Sequence, residues 1–232
     1  MSNVKVKKAA VKTAKPLTAW SMSRLSLYEQ CPFKFKAVHI DGLKEPGSKA
    51  MDNGKAVHAR GEQYLKGQVK VLPADFKLLA VEMEEAKAVG AESELEVTFT
   101  KDWRITGWFA DDAWLRIKID ILVLKEDAVT IVDLKTGKNR GGYEDQLELY
   151  ALAALLMYPE ADKVSAELWF TDTGEIIGTS HGDYAQKDVP ALKKKWEKRV
   201  RPMFMDKLFS PRPNVFCGYC HFRKNNDGPC TY

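Results

Sequence analysis

The stretch "VTIVDLKTGK", residues 129–138, sets the problem. Val129, Ile131 and Leu134 suit the inside of a sheet, while Asp133 and Lys135 stand two apart in the same run. Residues two apart on a strand share a face. A carboxylate and an ammonium therefore emerge side by side where an apolar strand ends, and Gly137 breaks that strand. Just upstream lies "LRIKIDILVL" (115–124). There Ile117, Ile119, Ile121 and Val123 form one row, and Lys118, Asp120 and Leu122 form the other. The short "KEDA" between the two runs predicts a hairpin turning at 126–127, which sets Asp120 almost opposite Asp133. Two opposed carboxylates repel each other. They become favourable around a divalent cation, and Mg2+ takes one or two carboxylates with waters and phosphate oxygens. Lys135 beside them suits orienting a water and offsetting charge that develops on a phosphate.

Outward from this pair, "YEDQLELYALAALLMY" (143–158) reads as a helix closed by Pro159. Gln146 and Tyr150, four apart, share one of its faces. His58 follows Gly54 by four residues on an earlier predicted helix (53–65), as a further ligand or phosphate contact. The remaining expected elements are a helix over 21–40 with Ser23 as N-cap, a loop at 41–48, and a helix at 74–89. Strands are expected in "ELEVTFT", "DWRITGWFAD", "WLRIKIDILVLK", "AVTIVDLK", "KVSAELWFT" and "EIIGTSH". A long amphipathic helix interrupted near Pro202 and a cysteine-rich loop follow. This order gives an α/β or α+β class, not a doubly wound alternation.

The chain of 232 residues, 45% hydrophobic and 29% charged, is long enough to bury a large core. It contains no apolar run of membrane-spanning length and no apolar signal core, so a cytoplasmic location without membrane association is expected. The net charge of +4 is uneven. Lys5, Lys7, Lys8, Lys12 and Lys15 lie in a tail, residues 1–20, and without them the rest stands at −1. A disordered solubilising arm and loose phosphate contact both fit that tail. "KKKWEKRVR" (193–201) fits a basic face with Trp196 included, tracking a nucleic-acid backbone, and equally a solvated amphipathic helix. Trp103, Trp108 and Trp114 are expected in core and rim.

Taken together, Asp120, "DLK" thirteen residues on, "QLELY", the upstream "GKAVH" and "YEQCPFKF" resemble the PD-(D/E)XK nuclease superfamily. Within it they are similar to the RecB-like and CRISPR-adaptation branch, over residues 23–230. The resemblance implies a restriction-endonuclease-like central mixed sheet flanked by helices, as one nuclease domain over 21–232. It implies Asp120, Asp133, His58 and the Leu134 carbonyl as ligands of Mg2+ or Mn2+, and Lys135 as the catalytic lysine. Gln146 and Tyr150 then support the site and contact DNA. The second acid is Asp133 where Glu is commoner, and the superfamily pattern allows either. The implied activity is a DNA exonuclease acting on single strands or duplex ends, in recombination, repair or spacer and end processing. No Walker loop is present, so a helicase, recombinase or integrase would be a separate partner. The rival readings are an endonuclease with the same site and a non-catalytic nucleic-acid binding module with a zinc-stapled fold.

The four cysteines are Cys31, Cys217, Cys220 and Cys230. In a chain without a secretion signal they read as ligands, since C-x2-C is metal-ligand spacing. The spacing leaves zinc, an iron–sulfur cluster and an unmetallated loop open. The resemblance implies a 4Fe-4S cluster, one cysteine before the nuclease core and three after it, tying the N-terminal helix to the C-terminus.

Overall fold

The computed structural model describes residues 17–226 and 228–232. The hairpin read from the sequence lies at the centre of its sheet. β3 (Leu115–Lys125) and β4 (Ala128–Lys135) pair antiparallel from Lys125↔Ala128 to Ile121↔Val132, around a turn at 126–127. One step further, the same register sets Asp120 across from Asp133. Ile119, Ile121, Leu122, Ile131 and Val132 are fully buried. A strand pair covered on both faces reads as a nearly continuous apolar run, which is what this sequence shows.

β4 pairs parallel with β5 (Lys163–Phe170), from Ala128↔Lys163 to Lys135↔Phe170. A parallel neighbour needs a crossover, and α5 (Glu144–Met157) provides it. Its residues Leu149–Leu155 are all buried. On the other side of β3 lies antiparallel β1 (Glu92–Phe99), edged by β2 (Ile105–Thr106), while β6 (Ile176–Gly178) edges β5. The order is β2-β1-β3-β4-β5-β6, a six-stranded mixed sheet. α3 (Lys49–Leu65) starts at Ser48, whose hydroxyl accepts the Met51 N–H at 3.2 Å. A 3-10 segment, Ala74–Leu79, leads into α4 (Ala80–Ala88). Val57 and Tyr64 of α3, with Phe76 and Met83, pack on Ile121, Val132, Leu134 and Trp169. Gly61 permits that approach: a Cβ there would meet the Phe76 ring at 2.7 Å. α6 is Val189–Met205.

The chain divides into two compact units. One, 18–22 and 46–202, holds the whole sheet; the other combines 23–45 with 203–232. In the second, α1 (Met22–Gln30) and α2 (Pro32–His39) bring Tyr28 and Phe35 against Phe209, with ring centroids 5.7 to 6.4 Å apart.

Several expectations change. The helix over 21–40 is two helices, because Pro32 disfavours helical backbone at the preceding residue and Cys31 is extended (φ −160, ψ 106). Ser23 lies inside α1 and is not its cap. "DWRITGWFAD" keeps only a two-residue strand; Trp103 has φ 61, which ends any extended run. "EIIGTSH" keeps three strand residues. α6 runs through Pro202 without interruption. Trp196 is fully buried, stacked on Trp20 at 5.7 Å, so it is absent from the basic face of α6. Lys195 and Arg199 on that face pair with Glu148 and Asp145 of α5, each at 2.7 Å. Trp103 and Trp114 are buried, as expected. Ala19 and Trp20, read as tail, are buried, and the Trp20 N–H donates to the Trp114 carbonyl at 2.7 Å. Lys5, Lys7, Lys8, Lys12 and Lys15 lie outside the described residues. Among the described residues, no helix is long and apolar enough to cross a membrane.

Candidate active site

The central hairpin brings its polar residues together where the β3–β4 ladder stops. Asp120 is 8% exposed. Its Oδ2 accepts the Leu134 N–H at 2.7 Å, and its Oδ1 lies 3.2 Å from His58 Nδ1 on α3. The N–H and C=O of one strand residue point to the same side, so the Leu134 carbonyl also faces Asp120. Burial pushes the Asp120 carboxyl above its ordinary range and the charge of Asp133 adds to that; the hydrogen bond with His58 opposes both. The same hydrogen bond raises His58 against its own burial, helped by the charges of Asp120, Asp133 and Glu94.

Asp133 is the centre of a second set. Lys135 Nζ lies 2.7 Å from its Oδ2. Its Oδ1 accepts from Tyr150 OH at 2.7 Å and from Gln146 Nε2 at 3.0 Å. Gln146 also donates to Tyr150 OH at 2.9 Å and accepts from Lys135 at 3.2 Å. The i, i+4 pair on α5 thus clamps the Asp-x-Lys pair of β4. Burial, then Asp133, pushes the Tyr150 hydroxyl well above its ordinary value, so it stays a proton donor.

A residue that the sequence reading missed stands beside them. Ligand atoms of His58, Glu94 and Asp120 lie within 4.8 Å of one another. Glu94 falls between the paired positions Ser93↔Ile121 and Leu95↔Ile119, hence opposite Asp120. Its φ of 57 is uncommon for a side chain larger than glycine's, and such strain gathers at functional sites. Its carboxylate pairs with Lys118. The one available signal was the β1–β3 register, which no local pattern in "ESELEVTF" specifies. Asp133 is not in this group, so the carboxylates sort into two sets, one around Asp120 and one around Asp133. The donors fit a divalent cation: they are hard oxygens and one imidazole, with a buried acid whose ionised form is disfavoured as it stands.

The model of the PD-(D/E)XK nuclease superfamily matches residues 19–113 and 60–224. The chain belongs to the PD-(D/E)XK nuclease superfamily. As a member of it, the chain is a nuclease of the divalent-metal-dependent type with a nucleic-acid substrate, and its six-stranded mixed sheet flanked by helices agrees with a restriction-endonuclease-like fold. Two solved structures are similar to this PD-(D/E)XK chain. One, named "Putative exonuclease", from Eubacterium rectale, is 15% identical with a TM-score of 0.48, covering 90% of this chain and 87% of that one. The other, named SSO0001, is 16% identical with a TM-score of 0.41, covering 90% and 85%. Among curated proteins, none matches this sequence.

In the second compact unit, the four cysteines are free of disulfides and line one pocket, with Phe33, Pro211, Arg212 and Arg223 among its walls. Cys217 Sγ accepts the Asn214 N–H at 3.3 Å. The arm carrying Cys230 crosses close over Phe222: Cys230 N–H donates to the Phe222 carbonyl at 2.8 Å. A Cβ at Gly228 would lie 2.2 Å from the Phe222 backbone.

Proposed function

We propose that this chain is a metal-dependent DNA exonuclease that hydrolyses phosphodiester bonds, processing DNA ends in repair or recombination, alone or beside a separate helicase, recombinase or integrase. The observation that carries the reading is the register of the central hairpin. It sets Asp120 against Asp133, with Lys135 on the same face as Asp133.

In this reading His58, Glu94 and Asp120, whose ligand atoms lie together, would hold Mg2+ or Mn2+ with the Leu134 carbonyl, and Asp133 would complete the set from its neighbouring group around Lys135. An imidazole in the set favours Mn2+ over Mg2+, which takes oxygen donors. The bound ion supplies Lewis acidity at the phosphate and makes water acidic enough to serve as nucleophile. Lys135 donates to the non-bridging oxygens as negative charge builds on them. Gln146 and Tyr150 hold Asp133 and Lys135 at fixed spacing, so little reorganisation is needed when substrate arrives. His58 orients the Asp120 carboxylate through its 3.2 Å contact.

The cysteine pocket is read here as the seat of a 4Fe-4S cluster, with Cys31, Cys217, Cys220 and Cys230 as ligands. Two facts support this. All four thiols line the same pocket, and one already accepts a backbone N–H, as cluster-bound sulfurs do. A lone Zn2+ needs four sulfurs about 2.3 Å from one centre. Zn2+ held by the same four thiols is the alternative occupant of the pocket.

The test is digestion of end-labelled linear DNA and covalently closed circles, single and double stranded, with Mn2+ and with EDTA. Degradation of linear DNA with circles spared is expected. Efficient nicking of circles would turn the reading to an endonuclease. Cleavage that survives EDTA would sink the metal mechanism, and absence of any cleavage would favour a binding module. Iron and sulfide analysis of anaerobically purified protein decides the cluster; stoichiometric zinc in its place would overturn it.

A further inference from the structure

The loop that leaves the candidate site, residues 136–142 ("TGKNRGG"), begins and ends at the same ammonium. It starts at Lys135, and at its far end Tyr143 presents its ring to Lys135, with Nζ 5.6 Å from the ring centroid. Three of its seven residues are glycines with positive φ: Gly137 (89), Gly141 (72) and Gly142 (78). The loop is nevertheless held. Gly137 N–H donates to Asp172 Oδ2 at 2.8 Å, Asn139 Nδ2 to Glu175 Oε1 at 2.8 Å, and Gly141 N–H to Asn139 Oδ1 at 2.8 Å.

The charges around it sort unevenly. Lys118, Lys135, Lys195 and Arg199 each face a carboxylate. Two acids that touch the loop, Asp172 and Glu175, are occupied by its backbone N–H and its asparagine. Lys138 and Arg140 are exposed, and among the described residues neither has an ion-pair partner. Two cations that form no ion pair among the described residues thus stand on the loop that leaves the candidate site. A nucleic-acid strand carries a phosphate at every nucleotide, about every 3.4 Å of rise in a duplex, so a strand seated at Lys135 has further phosphates beside the loop that starts there.

We propose that Lys138 and Arg140 grip the backbone phosphates that flank the scissile one, a sequence-independent subsite that seats the strand for cleavage. The assignment rests on the nuclease reading above. The loop's cations act on binding of the strand and leave the chemistry to Lys135 and the carboxylates. Arg140 suits two oxygens of one phosphate, and Lys138 acts as a point charge.

The experiment compares the full chain with a Lys138→Ala, Arg140→Ala double variant. Binding of a fluorescent single-stranded oligonucleotide is measured in EDTA from about 50 to 200 mM salt, and cleavage of the same DNA with Mn2+. Each lost phosphate contact lowers the slope of log affinity against log salt by about 0.7, so the double variant should lose about 1.4, and bind about 25-fold more weakly at 0.1 M salt. KM should rise accordingly with kcat kept. Removing two exposed lysines elsewhere, Lys70→Ala with Lys77→Ala, should change neither slope nor KM. Wild type that cleaves, with slope and KM unchanged in the double variant, overturns the loop assignment and leaves the nuclease reading standing. An equal loss in the control pair overturns it too, by making the effect one of net charge. Wild type that neither binds nor cleaves DNA overturns the nuclease reading itself, and the loop assignment with it.

Discussion

The sheet site and the cysteine pocket place their functional groups by opposite means. Asp120, Asp133 and Lys135 project from the two central strands of a six-stranded sheet, over fully buried Ile121, Ile131 and Val132. Register and core packing fix them whether or not anything is bound. Cys217, Cys220 and Cys230 lie on a segment whose regular structure, among the described residues, is two 3-10 turns, Val215–Tyr219 and Lys224–Asn226. Val215, Phe216 and Tyr219 there are exposed, Tyr219 by 86%. That segment is held by hydrogen bonds and by Phe222, with little apolar burial. The strands can therefore lose a functional side chain and keep their shape, whereas the pocket's shape depends on its few contacts and on any ligand it holds.

The largest effect separates the two at once. Lys135→Ala or Asp133→Asn should cut cleavage at least about a thousandfold, about 4 kcal/mol in the barrier, while circular dichroism and melting stay near wild type. A variant that unfolds instead would break the comparison, because the site would then be structural. Next, Gly228→Ala should damage the pocket without touching the strands. Its Cβ meets backbone at 2.2 Å, which cannot yield as a side chain can. A loss of about 1 to 3 kcal/mol is expected from overpacking, together with loss of bound iron or zinc. Unchanged metal content and melting temperature in that variant would show that the pocket is as preformed as the sheet site.

Asp120→Asn sharpens the contrast from the other side. Burial and Asp133 both oppose ionisation of Asp120, so its charged form works against folding. The amide keeps shape and removes the charge. Melting in EDTA should rise by about 1 kcal/mol of stability as cleavage is lost; a fall in stability would show that the His58 contact outweighs the burial of charge. The smallest effect lies at Asp206, which accepts the Leu208 and Phe209 N–H groups at 2.9 and 2.8 Å and Tyr28 OH at 3.0 Å. Asp206→Ala should cost about 1 kcal/mol. The Tyr28 hydroxyl, pushed up to about 12 by burial and by Asp206, should then titrate nearer its ordinary value, which ultraviolet titration reads directly.

Local pattern alone was enough for the central hairpin, its two-residue turn, α5 and the Asp133–Lys135 face. Each follows from a period of two or 3.6 carried by consecutive residues, and the turn length then sets the register that opposes Asp120 and Asp133. The break at Cys31 was missed although its cause is local: Pro32 acts on its neighbour's backbone, and the helical spacing of Leu25, Tyr28, Phe35 and Val38 masked it. Tertiary structure decided the rest. Glu94 joins Asp120 only because β1 pairs with β3, and a long-range register leaves no trace in either strand by itself. Trp196 sits in a run of lysines, yet Trp20 at the far end of the chain stacks on it and takes it out of solvent. The four cysteines stand 186 to 199 positions apart at their widest separations, and spacing within a chain says nothing about whether distant segments meet. Their shared pocket is a property of how residues 23–45 and 203–232 fold together.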